Sequence, residues 1–314
     1  MMQLCGVLLL DKPEGLSSNA ALQQVRRLFG SPKAGHVGSL DPLATGMLPI
    51  CVGEATKIAG ELVPGRKCYR FSVTLGVRTD TGDREGRVVA TAPIPSLARA
   101  DILSVLGSFV GLQQQVPPMY SALKRDGQPL YRLARAGVEV ERAPRQIRID
   151  ELELREFGPA QLSLAVVCSK GTYVRTLAED IARSLGTCGH VSELRRLYVE
   201  PFANEPMCSL GELEALSRAG HTPQLLGADH ALPGLSAVRV SAGAALRLRQ
   251  GQTLDAQAAE PVPAPGACDP GGQRDATGGP GPARVKLYGM DGTFLGLGEV
   301  DEWGQLRPKR LFNA

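Results

Sequence analysis

The sequence predicts a fold of the α/β (α+β) class, with a mixed, largely antiparallel sheet flanked by helices and a small β domain at the C-terminus. Strand-like and helix-like segments alternate along the first two-thirds of the chain. Neighbouring strand candidates are joined by short turns, as at Gly158-Pro159 between residues 146–157 and 161–167. Short turns connect antiparallel strands, whereas parallel strands need a long crossover. Residues 284–312 are strand-like around an Asp-Gly turn, which is typical of a β-hairpin.

The N-terminal part begins with a strand, a helix and a glycine-rich loop. Residues 6–10 form a short apolar run that ends at the turn Lys12-Pro13-Glu14-Gly15, which predicts a buried strand. Ser17 or Ser18 then caps a helix. The apolar face of this helix carries Leu22, Val25 and Phe29. A loop at residues 35–49 follows, and a second apolar segment at 48–52 completes this part.

The middle of the chain contains a strand pair around an acidic turn. Residues 69–75 alternate well enough for a strand. One face of this strand carries Tyr69, Phe71, Val73 and Leu75. Residues 79–86 form an acidic turn, and residues 87–91 form the returning strand. We expect the carboxylates of this turn, Asp80 and Asp83, to be solvated.

Three further helices are predicted from their caps and apolar spacing. Ser96 begins one that reaches residue 109. Residues 172–185 form the second, in which apolar residues recur at a spacing of four and Gly186 marks the end. Ser209 and Glu212 form an S-x-x-E capping box at the start of the third helix.

The C-terminal part from residue 236 has a different composition. Residues 255–283 contain six prolines and six glycines but no Leu, Ile or aromatic residue. Such a stretch cannot bury enough apolar surface to offset the entropy lost on ordering. We therefore predict a flexible Gly/Pro-rich insertion at these residues, with strand-forming segments on either side.

Composition limits the classes of protein to which the chain can belong. Its 314 residues are 43% hydrophobic, enough for one large domain and a smaller one, and the net charge is only +3. The seven cysteines include no C-x-x-C pair and the four histidines no H-x-x-x-H arrangement, so the sequence predicts neither a disulfide framework nor a metal site. No apolar run has the length of a membrane span. We expect a cytoplasmic protein with free thiols and no membrane partner.

The loop at residues 35–49 concentrates residues that suit a functional site. The stretch GHVGSLDPLATGMLP holds one histidine and one carboxylate, Asp41, among glycines and prolines. Pro42 holds Asp41 in an extended or turn conformation, and the glycines let another molecule approach the main chain closely. A carboxylate in such a loop is well placed to face a ligand. The alternative is an Asx-Pro turn in which Asp41 only hydrogen-bonds its own backbone.

The same loop resembles the active-site motif of the TruB family, the tRNA pseudouridine synthases that isomerise the T-loop uridine at position 55. Five further segments are similar to that family in the same order. They are LLLDKPEGLSS at 8–18, KCYRFSVTLG at 67–76, TDTGDREG at 79–86, QVPPMYSALKRDGQPLYRLARAG at 115–137 and CSKGTYVRTLAEDIA at 168–182. One departure is Val37, where the family commonly has threonine.

The resemblance implies a pseudouridine synthase fold with two domains. Residues 1–235 would form the catalytic domain, with a basic RNA-gripping insert at about 120–148. Residues 236–314 would form a PUA-like RNA-binding domain that contains the insertion at about 255–283. The implied reaction breaks the N1–C1′ bond of uridine, turns the uracil over and joins C5 to C1′, so it needs no cofactor and no metal. The implied partner is the T-stem-loop of tRNA, and the enzyme would be a monomer without an obligate protein partner.

Six residues acquire roles from the resemblance. Asp41 would be the catalytic carboxylate, either by attack on C1′ or by removal of a proton from C2′, and the sequence leaves both routes open. Arg175 would be its ion-pair partner, and Tyr69 would stack on the target uracil. The other three are Tyr173 and Lys12, which would line the pocket, and His36, which would enter the T loop where the extruded base had been.

A basic segment at residues 124–148 is the best candidate for contacts to the RNA backbone. Seven cations stand against three acids, Asp126, Glu139 and Glu141, which gives a net charge of +4. The cations are Lys124, Arg125, Arg132, Arg135, Arg142, Arg145 and Arg148. The resemblance implies a mobile loop that closes over the RNA, and Arg195 and Arg196 would extend its basic surface. The alternative is a solvated basic helix and loop with no ligand.

Plainer alternatives remain for the site residues and for the function. Tyr69 can be an ordinary core residue, Arg175 can pair with Glu179 one helical turn further on, and Lys12 can be a turn lysine. At the level of function, the alternatives are a non-catalytic RNA-binding or tRNA-folding factor and a guide-dependent pseudouridine synthase of a ribonucleoprotein. The basic insert and the lack of a lysine-rich tail favour the stand-alone enzyme.

Overall fold

The computed structural model describes residues 4–30, 33–62, 65–125, 127–262 and 282–313. The first part of the chain forms one large sheet with helices and two short hairpins. Its strands are β1 (Gly6–Lys12), β2 (Ala34–His36), β3 (Thr45–Val52), β4 (Lys67–Leu75), β5 (Val77–Thr79), β6 (Val88–Thr91), β7 (Gly111–Gln115), β8 (Lys124–Arg125), β9 (Gln128–Pro129), β10 (Arg145–Gly158), β11 (Gln161–Cys168), β12 (Gly189–Val199) and β13 (Cys208–Ser209). Its α-helices are α1 (Ser18–Phe29), α2 (Ala59–Leu62), α3 (Arg99–Phe109), α4 (Leu130–Arg135), α5 (Val174–Ser184) and α6 (Leu210–Arg218), and a 3₁₀ helix spans Gly53–Ile58.

The large sheet is mixed and mostly antiparallel, which confirms the predicted fold class. Its strand order is β13-β1-β3-β12-β4-β11-β10-β7, and β2 pairs with β3 as a branch. Only the pairs β1–β13 and β3–β12 are parallel. The late strand β12 is inserted between β3 and β4, so residues from three distant parts of the chain lie side by side.

Capping residues that the sequence predicts begin two of the helices. The hydroxyl of Ser17 accepts a hydrogen bond from the Ala20 amide at 3.1 Å and begins α1. The capping box of Ser209 and Glu212 begins α6, as predicted. The helix predicted from Ser96 starts later, at α3, because the carboxylate of Asp101 accepts the Ala98 amide at 2.9 Å and fixes the first turn there.

Two apolar clusters cover the sheet. The first packs the sheet against α1, α3 and α5 and includes Leu10, Phe71, Val73 and Ile181. The second lies around β1 and β3 and joins Met47 and Phe202 to Leu297 of the C-terminal part. The loop that carries Asp41 runs between these clusters, with Leu40 in the first and Val37 in the second. This anchoring of apolar neighbours on both sides fixes the loop.

The C-terminal part forms a second, six-stranded sheet that packs on the 3₁₀ helix after β3. Its elements are β14 (Ser236–Val240), α7 (Ala242–Arg249), β15 (Leu254–Asp255), a 3₁₀ helix (Ala256–Ala258), β16 (Glu260–Val262), β17 (Ala283–Gly289), β18 (Phe294–Val300) and β19 (Gln305–Leu311), in the sheet order β15-β19-β18-β17-β14-β16. Lys57 Nζ donates to the Leu311 carbonyl at 2.6 Å, and the Asn313 amide donates to Glu54 at 2.8 Å.

The Gly/Pro-rich insertion begins later than the sequence indicates. Its first predicted residues form the end of β15, the short 3₁₀ helix and β16, because backbone pairing with β14 and β19 offsets their ordering cost. Residues 263–281 lie outside the described residues. Within the described ranges, no helix has the length and apolar character needed to span a membrane.

Candidate active site

Asp41 and Arg175 form an ion pair between two elements that are far apart in the sequence. Asp41 lies in the loop between β2 and β3, and Arg175 is the second residue of α5. The Nε atom of Arg175 is 2.9 Å from Oδ2 of Asp41. The side chain of Arg175 is 6% exposed and that of Asp41 is 40% exposed. A ligand can therefore reach the carboxylate, while the cation behind it is covered.

Several partners hold the guanidinium of Arg175. Nη1 donates to the Thr81 carbonyl and Nη2 to the Tyr120 carbonyl, each at 2.7 Å. Nε also lies 3.7 Å from Oδ2 of Asp83. Among the described residues, the guanidinium of Arg175 contacts these groups of other elements and forms no ion pair with Glu179, so the alternative pairing of these two residues is wrong.

Asp83 is buried, and the expectation of a solvated carboxylate at this position is wrong. Its side chain is 6% exposed. Oδ1 of Asp83 accepts hydrogen bonds from Thr81 Oγ1 at 2.6 Å and from the Glu85 amide at 3.1 Å. Oδ2 of the same carboxylate faces the guanidinium of Arg175. Local spacing carries no sign of this burial; the similarity of TDTGDREG to the family was the one available signal.

Lys12, for which the resemblance implies a place in the pocket lining, contacts the backbone of the Asp41 loop. Its side chain is fully buried, and Nζ donates to the carbonyls of Pro13 at 2.8 Å, Leu16 at 2.6 Å and Pro42 at 3.2 Å. Burial lowers the pKa of Lys12 to about 8, and the Asp41 carboxylate opposes that shift. Lys12 thus ties the turn after β1 to the catalytic loop, because its three donors are all used on backbone oxygens.

The electrostatic surroundings of Asp41 act in opposite directions. Burial is the largest effect and raises the pKa of Asp41 above the usual value of an aspartate. The guanidinium of Arg175 opposes this rise by charge and by hydrogen bonding, and Lys12 opposes it more weakly. The negative charge of Asp83 adds to the rise. The ionised carboxylate therefore depends on its two cationic neighbours.

Two tyrosines lie near the Asp41 carboxylate. Tyr69 is on β4, is buried and belongs to the first apolar cluster, whereas Tyr173 is half-buried directly before α5. Burial raises the pKa of both phenols, and the charge of Asp41 contributes to each rise, as expected for neighbours. Gln115 fixes Tyr173: Nε2 donates to the Tyr173 carbonyl at 3.1 Å, and the Tyr173 amide donates to Oε1 at 2.8 Å.

His36 stands at the start of the same loop. It is the last residue of β2 and pairs with Ile50 of β3. Within the described part of the chain, its Nδ1 atom is buried and has no hydrogen-bond partner. Burial, with a contribution from Arg196, lowers the pKa of His36 and favours the neutral ring. The side chain of Val37, where the family commonly has threonine, packs into the second apolar cluster.

The basic segment at residues 124–148 presents most of its predicted cations to solvent. Lys124, Arg125, Arg132, Arg145 and Arg148 are exposed. Arg142 is half-buried, and it donates from Nε to the Pro117 carbonyl at 2.9 Å and from Nη1 to the Val140 carbonyl at 2.8 Å. Arg142 therefore also fastens the segment to residues that precede it, a structural contact that its charge alone did not indicate.

The two arginines expected to extend the basic surface do not do so. Arg195 binds Asp11 through both guanidinium nitrogens, at 2.9 and 2.7 Å. Arg196 is 1% exposed. Both lie in β12, where successive side chains point to opposite faces of the sheet. Arg195 is therefore partly exposed but paired, and Arg196 is buried. The adjacent pair of charged residues in the sequence gave no sign of this difference.

A groove of about 820 Å³ adjoins the catalytic loop. Leu43 and Thr45, at the end of that loop, are among its lining residues, together with Arg70 and Arg155. Its charged lining suits a polar ligand rather than a small apolar one. Among the described residues, no group of three or more His, Cys, Asp or Glu side chains is arranged to hold a metal ion.

Three family models match the chain in succession. The model for the TruB family pseudouridylate synthase N-terminal domain matches residues 26–174, and that for the tRNA pseudouridylate synthase B C-terminal domain matches residues 175–231. The model for the C-terminal part of pseudouridine synthase II TruB matches residues 271–312.

Curated relatives match over nearly the full length. A protein of Chromohalobacter salexigens named tRNA pseudouridine synthase B is 46% identical over 98% of this chain and 94% of its own length. A protein of the same name from Aromatoleum aromaticum is 48% identical over 98% of this chain and 93% of its own length. One from Xanthomonas axonopodis pv. citri is 44% identical over 99% and 95% of the two chains.

Solved structures share the fold at low sequence identity. A chain of an H/ACA RNP bound to a substrate RNA containing 2′-deoxyuridine superposes with a TM-score of 0.71 and 21% identity, over 98% of this chain and 85% of that one. A chain of a Cbf5-Nop10-Gar1 complex gives a TM-score of 0.71 and 23% identity, with the same coverage. These values support the fold, whereas the relatives above support the family. With the family models and the near full-length relatives in agreement, the chain belongs to the TruB family of pseudouridylate synthases.

Proposed function

We propose that this protein isomerises uridine to pseudouridine at position 55 in the T loop of tRNA, without a cofactor. The observation that carries the proposal is the reachable Asp41 carboxylate, held 2.9 Å from the covered guanidinium of Arg175 and flanked by two tyrosines. The relatives named tRNA pseudouridine synthase B support tRNA as the substrate.

The chemistry needs one ionised carboxylate beside the sugar of an extruded uridine. Asp41 attacks C1′ and displaces the uracil, or it removes the C2′ proton so that the N1–C1′ bond breaks by elimination. The freed uracil then turns over so that C5 faces C1′. In the first route C5 attacks C1′ and displaces the Asp41 carboxylate; in the second C5 adds to C1′ while Asp41 returns the proton to C2′. In both routes the proton on C5 is released and N1 takes up a proton, so no atom is gained or lost. Arg175 keeps Asp41 charged. Tyr69 and Tyr173 supply faces against which the uracil stacks.

Extrusion of the base costs a few kcal/mol, which contacts to the RNA backbone must offset. The exposed cations of the basic segment are suited to that work, since they bind phosphates without regard to sequence. The carbonyl of Tyr120, at the start of the insert, binds Arg175, so the insert is joined directly to the catalytic centre. His36 then fills the place in the T loop that the base has left.

The wider organisation completes the proposal. Residues 1–235 act as the catalytic domain and residues 236–314 as a PUA-like RNA-binding domain. The protein works as a monomer in the cytoplasm, without an obligate protein partner. The contacts of Lys57 with Leu311 and of Glu54 with Asn313 support one rigid arrangement of the two domains for binding a folded tRNA.

Pseudouridine mapping after incubation of the purified chain with a T-stem-loop transcript tests the function. We expect conversion of the T-loop uridine without added cofactor. Asp41→Asn should abolish conversion while it changes RNA affinity by less than about threefold, because the amide keeps the shape but not the charge. Asp180→Asn on the surface of α5, which removes an acid paired with Arg183, is the matched control and should stay active.

Two outcomes contradict the proposal. Conversion by Asp41→Asn at near the native rate would remove the catalytic assignment and leave an RNA-binding or tRNA-folding factor. A purified chain that converts uridine only after addition of a guide RNA and partner proteins would indicate the guide-dependent enzyme.

A further inference from the structure

Arg196 is a buried cation at the junction of the three strands that build the active site. It lies in β12, where it pairs with Gly46 at the start of β3 and with Tyr69 of β4. Its side chain is among the largest that are fully buried, with 1% exposure. Gly46 closes the loop that contains Asp41, so Arg196 stands between that loop and the tyrosine beside it.

The charge of Arg196 is balanced by dipoles and not by an acid. Among the described residues, no carboxylate forms a salt bridge with it. Nε donates to the Met47 carbonyl at 2.7 Å, and Nη2 donates to the Gly38 carbonyl at 2.8 Å. The positive charge of Arg196 also acts on Tyr69, where it opposes the rise that burial causes in the pKa of the phenol. Burial of a cation without a counter-ion is costly, so a purely structural position would favour an apolar residue.

The two carbonyls bound by Arg196 bracket the catalytic loop, and the backbone is shaped to reach them. Gly38 has φ +68°, and a Cβ atom there would lie 3.3 Å from Nη1 of Arg196. Gly46 has φ +97°, and a Cβ atom there would lie 2.1 Å from the Arg196 carbonyl oxygen. Only glycine fits such a conformation at this distance. The loop from Gly38 to Met47 therefore closes around Arg196 at both ends.

We propose that Arg196 is a positioning residue of the isomerase, which clamps both ends of the Asp41 loop against the strand that pairs with Tyr69. The planar guanidinium can reach the two carbonyls at fixed angles, and the single ammonium group of a lysine cannot. The clamp sets the direction in which Asp41 projects toward Arg175. Arg196 itself is too deeply buried to touch the substrate.

Arg196→Gln and Arg196→Lys test the clamp by a comparison of kcat with RNA affinity. This inference rests on the proposed function, so native activity on the T-stem-loop transcript is measured first. We expect Arg196→Gln to lower kcat by about 100-fold and Arg196→Lys by about tenfold, with RNA affinity within about threefold of native, because misplacement of a catalytic group costs rate and not binding.

The pH profile separates positioning from general destabilisation. Three charged groups from other elements act on the Asp41 carboxylate: Arg175 of α5, Lys12 of β1 and Asp83 of the turn between β5 and β6. Displacement of the loop weakens the contact with Arg175, so the acid limb of kcat should move to higher pH in the Arg196 variants. Phe202→Leu, a fully buried change in the second apolar cluster, is the control for stability and should leave the acid limb in place.

Gly38→Ala is a second variant, which disturbs the same contact and retains Arg196. The added methyl group pushes the loop away from Nη1, and we expect the same fall in kcat and the same shift of the acid limb. Gly30→Ala is the matched control: Gly30 has φ +56° but no neighbour within 4 Å of the added atom, so it introduces backbone strain alone.

Three results would overturn the inference. The first is a native kcat in a folded Arg196→Gln variant. The second is a fall in kcat that follows the loss of stability, as in Phe202→Leu, while the acid limb does not move. The third applies if Arg196→Gln does not fold, and it is a native kcat and pH profile for Gly38→Ala. If the native chain is inactive on the transcript, the proposed function fails first, and the clamp fails with it.

Discussion

Oδ2 of Asp41 lies 2.9 Å from Nε of Arg175, although the two residues are far apart in the sequence. The same nitrogen is 3.7 Å from Asp83, so one buried cation serves two acids of different exposure. Asp41 faces solvent and can react, whereas Asp83 is covered and holds the cation in place. The two carboxylates therefore differ in role: a ligand can reach Asp41, and Asp83 orients Arg175.

Replacement of Arg175 should affect both rate and pH dependence. Arg175 lowers the pKa of Asp41, so its loss lets burial raise that pKa further. The ionised fraction of Asp41 falls as the pH drops through its pKa; the acid limb of kcat should therefore move to higher pH in Arg175→Gln. We expect kcat to fall about 1000-fold, as for the loss of a major electrostatic contact in an active site. Arg175→Lys should retain part of the rate, and an unmoved acid limb in Arg175→Gln would contradict the assignment.

Asp83→Asn should move the acid limb in the opposite direction. The charge of Asp83 raises the pKa of Asp41, so its removal lets Asp41 ionise at lower pH. The rate should still fall, by about tenfold, because Arg175 loses a partner that orients it. Asp80→Asn in the same turn removes a peripheral acid that pairs with Arg87 and is the control. A shift of the acid limb of kcat to higher pH in Asp83→Asn would be inconsistent with this arrangement.

Lys12→Met should destabilise the protein and change how its stability depends on pH. Three backbone carbonyls lose their donor, which costs about 1–3 kcal/mol. The pKa of Lys12 is about 8 in the folded protein and 10.5 when unperturbed, so the unfolded chain binds more protons between these values. Lys12 therefore makes the free energy of unfolding rise with pH in that window. Urea unfolding at both ends of the window should show this rise in the native protein and in Lys33→Met, and a smaller rise in Lys12→Met.

Gln115→Ala should loosen Tyr173 without a change in the charges of the site. The side-chain amide makes two hydrogen bonds to the Tyr173 backbone, and its loss leaves both groups unsatisfied at a cost of about 1–3 kcal/mol. We expect kcat to fall about tenfold with an unchanged acid limb, since no ionised neighbour of Asp41 is removed. Gln114→Ala on the same strand, an exposed position, is the control. Equal activity of the two variants would show that the clamp on Tyr173 is not needed.

Neutralisation of Lys124, Arg132 and Arg145 should weaken RNA binding in a salt-dependent way. All three are exposed on the basic segment. Each lost phosphate contact reduces the slope of log affinity against log salt by about 0.7, so the triple glutamine variant should lose about two units of slope. KM should rise while kcat at saturation stays near native. Glutamine at Arg27, Arg99 and Arg218, which are exposed on helices, removes the same charge, and an equal loss of slope there would refute a dedicated RNA surface.

Much of the local structure was predictable because short-range interactions decide it. Ser17, Ser209 and Glu212 cap helices through hydrogen bonds to residues within the next turn. The alternation from Tyr69 to Leu75 gave the strand that became β4, and Asp41 before Pro42 marked a loop that presents a carboxylate. Predictions based on charge alone were less successful: Asp83, Arg195 and Arg196 were expected at the surface, but Asp83 and Arg196 are buried and Arg195 is paired with Asp11.

The sequence by itself determined the chemistry: one aspartate in a stiff glycine- and proline-rich loop, in the company of motifs that resemble a single family. The tertiary structure decided which cation serves it and what holds it in place. Insertion of β12 between β3 and β4 buries Arg196 under the loop, and the packing of α5 against the turn after β5 brings Arg175 between Asp41 and Asp83. Burial and partner choice depend on segments that are distant in the chain, and local periodicity contains no information about them.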